Sequence, residues 1–165
     1  MTIKTGDKMP SGSFGVMTDK GPGSLSTDEL FKGKKVVLFS VPGAFTPTCS
    51  AKHLPGFVDK AADIKGKGVD TIACLAVNDA FVMGAWGRDQ KTAGKVRMMA
   101  DGSADFAKAT GLTLDLGARG MGLRSNRYSM LVVDGIVKTL NIEGPGKFEV
   151  SDAGTLLGQA KQLRA

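Results

Sequence analysis

The chain has 165 residues, about one domain's worth, and at 42% hydrophobic and 23% charged its composition excludes disordered and fibrous classes. Its 23 glycines follow no collagen-like period, no apolar run is long enough for a membrane span, and no charged-then-apolar leader opens the chain. A net charge of +6 leaves anionic partners open, whereas two cysteines and one histidine fall short of a disulfide scaffold or a structural zinc set and point to the cytosol.

Residues 1–34 are punctuated by Gly, Pro, Ser and Thr and read as loops with short strands. The run Lys35 to Val41 has the pattern of a buried central strand, and Pro42 to Thr48 breaks it. A helix is expected next, with Leu54, Phe57, Val58, Ala61 and Ile64 on one face and a kink near Ala51, because Pro55 removes a backbone donor. Thr71 to Val77 reads as a second buried strand. Asn78 or Asp79 caps the following helix, whose Phe81, Val82, Ala85 and Trp86 are expected to share a face. Val96 to Met99 reads as a short strand and Ala104 to Ala109 as a short helix. Asp134-Gly135 between two apolar runs, Arg127–Val133 and Ile136–Leu140, is a hairpin signal. The C-terminal segment Ala153–Leu163 is helical in pattern, with Leu156, Leu157, Ala160 and Leu163 on one stripe. Strands alternating with helices, then a hairpin and a final helix, predict an α/β architecture. Its mixed sheet has helices on both faces, in a single domain spanning residues 1–165.

The positive charge is unevenly placed. No acid lies between Glu29 and Asp59, where Lys32, Lys34, Lys35 and Lys52 fall, nor between Asp115 and Asp134, where Arg119, Arg124 and Arg127 fall. The remainder of the chain is close to neutral. Solubility is one reading of this pattern; an anion-attracting site assembled from both windows is the sharper one. Nucleic-acid binding is disfavoured, since the single Trp and single Tyr lie outside any basic cluster.

Val41-Pro42-Gly43-Ala44-Phe45-Thr46-Pro47-Thr48-Cys49-Ser50 joins the first buried strand to a helix, the position where open α/β sheets bind ligands. Thr46 and Pro47 suit the N-cap and first helical position, which puts Cys49 in the first turn. Free amides and the positive end of the helix dipole there favour a thiolate. A buried, inert cysteine is the common alternative, but the polar, proline-bounded turn is unlike a core.

These residues resemble the peroxiredoxins, whose Pro-x-x-x-Thr-x-x-Cys pattern is matched by Pro42, Thr46 and Cys49. The longer string, with His53-Leu54-Pro55-Gly56-Phe57, Val77 to Val82, Ser125 to Met130 and Leu140 to Glu143, is similar to the type II group over nearly the whole chain. The resemblance implies a thioredoxin-like fold, no cofactor and no metal. It implies a thiol peroxidase that reduces hydrogen peroxide and alkyl hydroperoxides through a sulfenic acid on Cys49. Arg127 is then expected to stabilise the thiolate and hold the peroxide, with Thr46 orienting it and Pro42 shielding the sulfur. Thr48, Phe45 and Gly43 are expected on the substrate side, and Arg119 and Arg124 are expected to be peripheral. The two basic windows then form two halves of one site.

His53 lies four residues after Cys49, so a Cys–His nucleophilic pair is conceivable, but a packed histidine is favoured. Cys74 stands where some group members place a resolving thiol. Its position inside an apolar strand predicts burial and poor access. Residues 146–152, where other members carry a resolving cysteine, have none. A one-cysteine cycle with glutathione, glutaredoxin or thioredoxin as reductant is therefore expected, with glutathione drawn by the basic surroundings. The resemblance also implies a homodimer contacting through the Gly43–Pro47 and Phe81–Trp86 regions, with no nucleic acid or membrane partner. A redox sensor in which Cys49 oxidation is the signal is the alternative. A thioredoxin-type reductase is disfavoured by the lack of Cys-x-x-Cys.

Overall fold

The run predicted as a central strand becomes β3 (Lys35–Val41), and its side chains alternate between two cores. Val37, Phe39 and Val41 face one, Val36 and Leu38 the other. Apolar packing on both sides is why the run is almost uninterrupted. Ser40, its one polar residue after Lys35, is fully buried with its hydroxyl bonded to the Leu75 carbonyl. The computed structural model describes residues 2–164, with the side chains of residues 163 and 164 outside that description. The predicted stripe position Leu163 therefore lies outside the described side chains.

β3 sits in a seven-stranded mixed sheet with β1 (Ser13–Thr18), β2 (Gly21–Ser26), β4 (Thr71–Ala76), β5 (Arg97–Ala100), β8 (Tyr128–Val133) and β9 (Ile136–Ile142), ordered β2-β1-β5-β4-β3-β8-β9. β4 runs parallel to both β3 and β5, and β8 runs antiparallel to β3. The β8–β9 hairpin turns at Asp134 and Gly135, whose φ values of 48° and 78° are the pair that a type I′ turn demands.

On one face α1 (Thr27–Phe31) and α5 (Asp105–Thr110) bury Leu30, Phe31 and Phe106. On the other, α2 (Leu54–Asp59), α3 (Ala61–Lys65), α4 (Ala80–Asp89) and α6 (Ala153–Arg164) bury Phe57, Ile64, Met83, Trp86 and Leu156. A small hairpin of β6 (Thr113–Leu116) and β7 (Gly122–Ser125), for which the sequence shows no clear pattern, stands apart from the main sheet.

Three expectations need correction. The single helix expected after Pro47 is interrupted: a π-helical turn spans Cys49–His53, and α2 and α3 part at Lys60. The π turn is the form taken by the predicted kink near Ala51. Pro55 has no N–H for the Ala51 carbonyl, and the Leu54 N–H bonds five residues back, to the Cys49 carbonyl. The inner face of α4 is Met83, Trp86 and Gly87, whereas Phe81 is 63% exposed. Asp79 caps this helix through the Val82 amide and fixes its phase. Gly87 lies so close to Met98 that a Cβ there would come within 2.8 Å of its Cγ.

The third correction concerns charge. Lys32, Lys34 and Lys35 lie at or before the start of β3, whereas Cys49 follows its end. Seven strand residues, about 20 Å, separate the two ends. Of the first window's lysines only Lys52 shares the turn of Cys49, so the charge of Lys32, Lys34 and Lys35 is not gathered at that end of the sheet.

Candidate active site

Beyond the end of β3 the chain folds back on itself before the helix begins. The Ala44 amide donates to Asn78 Oδ1 at 3.0 Å, and the Thr46 hydroxyl donates to the Gly43 carbonyl at 2.7 Å. Phe45 adopts a φ of 65°, a left-handed conformation that strains a bulky residue. Its half-exposed ring lies 6.4 Å from that of Trp86. Helical backbone starts at Pro47, and the Ser50 amide donates to the Thr46 carbonyl at 2.9 Å. Trp86 Nε1 donates to Ser50 Oγ at 3.0 Å, tying the π turn to α4.

Cys49 is fully buried, yet its sulfur is not in purely apolar surroundings. Arg127, immediately before β8, donates through Nη2 to Sγ at 3.0 Å. Its Nη1 meets His53 Nδ1 at 2.9 Å, and His53 Nε2 meets the Ser151 carbonyl at 2.9 Å. A guanidinium only donates, so Nδ1 must accept and the ring proton must sit on Nε2. Burial, then the adjacent Arg127 charge, pushes the His53 pKa down from 6.5 to about 3, so the ring is neutral at physiological pH. Phe39, Phe57 and Phe148 surround it with ring centroids 5.0, 5.7 and 4.9 Å away. Phe148 also lies 5.9 Å from the Arg127 guanidinium carbon. His53 is thus packed, but as a partner of Arg127. Its two ring nitrogens face Arg127 and Ser151, not the thiol, which leaves no Cys–His pair.

Glu143, just past β9, is 6% exposed and donates its backbone N–H to the Arg127 carbonyl at 2.9 Å. Its carboxylate accepts from the amides of Glu149, Val150 and Ser151 and from the Ser151 hydroxyl, at 2.7–2.9 Å. Burial works to raise its pKa, but these bonds together hold it below the ordinary value.

A cleft of about 90 Å³ opens beside Arg127, lined in part by Pro42, Thr48, Asn126, Glu143 and Lys147. Cys49, Arg127, Pro42 and Thr48 thus gather at one place. Thr46 and Gly43 stand beside it, bonded to each other, and Phe45 turns toward Trp86. Arg124 is nearer than expected: its Nη1 donates to the Pro42 carbonyl at 3.3 Å, while Arg119 is exposed on the turn after β6. Cys74 lies in mid-β4, opposite Phe39 and Met98 on its neighbouring strands, and is fully buried in the same core as Cys49. Burial, then the nearby Cys49, pushes its thiol well above the ordinary value. Sequence reasoning missed Ser151, Phe148 and Glu143 as parts of this assembly. The available signals were the four-residue spacing of Cys49 and His53 and the place of Glu143 at the end of the matching Leu140–Glu143 string.

The redoxin family model matches residues 4–157. Peroxiredoxin-2E, chloroplastic, of Arabidopsis thaliana is 47% identical over 161 residues, covering 94% of this chain and 68% of that protein. The structure of reduced Prx3 in complex with hydrogen peroxide from Vibrio vulnificus superposes with a TM-score of 0.92 at 51% identity, covering 96% of this chain and 99% of that one. Peroxiredoxin 5 of Alvinella pompejana gives a TM-score of 0.86 at 34% identity, covering 97% and 99%. A seven-stranded mixed sheet with helices on both faces, seen in company with these relatives, defines a thioredoxin-like fold. The chain belongs to the peroxiredoxin family, in the type II, peroxiredoxin 5-like group, and is a thiol peroxidase.

Proposed function

We propose that Cys49 is the thiol that attacks peroxide and that Arg127 is its electrostatic partner. The observation that supports this most directly is the 3.0 Å contact between Arg127 Nη2 and Cys49 Sγ. The thiolate attacks one peroxide oxygen, the O–O bond breaks, and the leaving oxygen takes a proton to depart as water or an alcohol. Cys49 is left as a sulfenic acid. The guanidinium offsets negative charge on sulfur and then on the leaving oxygen. Thr46, whose hydroxyl donates to the Gly43 carbonyl, keeps its lone pairs for the peroxide proton in this reading, and Pro42 and Thr48 line the adjoining cleft. Hydrogen peroxide and alkyl hydroperoxides share the reacting bond and are the proposed substrates.

The sulfenic acid condenses with an external thiol, releasing water, and a second thiol exchanges the mixed disulfide to restore Cys49. Glutathione with glutaredoxin is the favoured donor and thioredoxin the competitor, in a reducing compartment such as the cytosol. Cys74 is an unsuited resolving thiol, being buried in mid-strand with its pKa raised. A homodimer is proposed through the Gly43–Pro47 and Phe81–Trp86 regions, where Phe45 and Phe81 are 54% and 63% exposed. Peroxide turnover with glutathione plus glutaredoxin, compared against thioredoxin, tests the cycle. Retained glutathione-dependent activity in Cys74→Ser supports the one-cysteine route, and its loss overturns that route.

A further inference from the structure

Arg127 reaches the thiol with one nitrogen and leans on His53 with the other, so the arginine's aim depends on what holds the imidazole. His53 is held in turn by a backbone carbonyl, that of Ser151, in a segment without regular secondary structure between β9 and α6. A loop carbonyl is a poor anchor unless something fixes the loop. Glu143 does so: one carboxylate gathers three successive amides and a hydroxyl from residues 149–151. Charge-assisted bonds of this kind are roughly twice as strong as neutral ones. The same residue's backbone N–H grips the Arg127 carbonyl, so Glu143 is bonded to both ends of the connection.

We propose that Glu143 is a positioning residue for the peroxidase reaction: its carboxylate clasps the 149–151 segment so that Ser151 fixes the His53 ring, and His53 aims Arg127 at Cys49. The proposal rests on the reading of Arg127 as the partner of the Cys49 sulfur. The clasp also closes the imidazole off from water, since Phe148 packs on the ring from the stretch of chain that the carboxylate gathers. The charged groups acting on the ring are Arg127 before β8, Glu143 after β9 and Asp152 before α6. Losing the Glu143 charge alone would make the ring still harder to protonate. Loosening the loop and admitting water would make it easier. The two effects have opposite signs, so titration of the ring separates a clasp from a mere nearby charge.

The chain has one histidine, so imidazole nitrogen NMR shifts report His53 alone. The wild-type protein is expected to show one protonated and one bare nitrogen, unchanged from about pH 5 to 8. Glu143→Gln is expected to average the two tautomers and let the ring titrate near the ordinary value of about 6.5. The peroxide step measured in single turnover is expected to slow about tenfold or more. Reduction of preformed sulfenic acid by thiol should be much less affected. Ser151→Ala, which removes one of the bonds and keeps the rest, should move the spectrum and the rate in the same direction by less. It serves as the test if Glu143→Gln does not fold. A folded variant with an unchanged imidazole spectrum overturns the proposal, whether or not its rate falls. Arg127→Ala is the separate control: undiminished peroxide reduction there would sink the reading of the arginine and leave the imidazole spectrum as an independent measure of the clasp.

Discussion

The two cysteines lie in one core, on the same side of the sheet, and neither exposes any surface. Burial alone therefore does not separate the thiol proposed as reactive from the other. What differs is the second neighbour. Cys74 is enclosed by strands on both sides, opposite Phe39 and Met98, and the local backbone is engaged in the sheet. Cys49 sits where a strand has just ended and a helix is beginning, and there a guanidinium enters the core to meet it. Arg127 brings a charge into an apolar region, and among the described residues no carboxylate pairs with its guanidinium. Its ring partner is neutral, so the positive charge stays free to act on sulfur.

The largest expected effect is the loss of all peroxide turnover in Cys49→Ser. Activity surviving that change would break the contrast at its root. Next, Arg127→Ala should slow the peroxide step by about 100-fold, the scale seen when one preorganised donor is removed. A loss below tenfold would place the difference between the thiols elsewhere. A smaller effect lies in stability. The unfolded chain protonates His53 below about pH 6.5, while the folded ring stays neutral down to about 3. Because the unfolded state binds more protons in that window, stability should fall as pH drops through it. The slope is up to about 1.4 kcal/mol per pH unit from this group. Thermal melts of wild type and His53→Gln across the window should diverge, and parallel curves would refute the assignment. Smallest of all, Cys74→Ala should leave turnover with glutathione and glutaredoxin within about twofold while costing about 1 kcal/mol of stability, as core truncations of this size do. A large loss of turnover would make Cys74 a participant.

Much of this contrast was legible in the residues themselves. The runs at 35–41 and 71–77 announce central strands because burial on both faces leaves little room for polar residues. Asp134-Gly135 announces its turn because few other pairs accept two positive φ values. The phase of α4 was not legible: Phe81 and Val82 look as core-like as Met83 and Trp86, and the Asp79 cap together with the packing of Gly87 on Met98 decides between them. The lysines of the first basic window illustrate another limit. Closeness in sequence to Cys49 means little when a full strand intervenes. Pro42, Thr46 and Cys49 could be found because they are local. Glu143 could not, because its role depends on a loop that returns six to eight residues later to bring amides to it.

The π turn at Cys49–His53 has a consequence for molecular size. A peroxide is small enough for a cleft of about 90 Å³, but a tripeptide thiol or a protein cysteine is not, and the sulfur it must reach is wholly enclosed. On the cycle proposed above, the two half-reactions would ask for two shapes of the same turn, one shut around the oxidant and one unwound for the reductant. A single helical turn whose bonds span five residues, with a proline just beyond it, has the least regular ladder in its helix and is the natural place for that unwinding. On the proposed cycle, the segment that carries Cys49 would also be the hinge for its recovery.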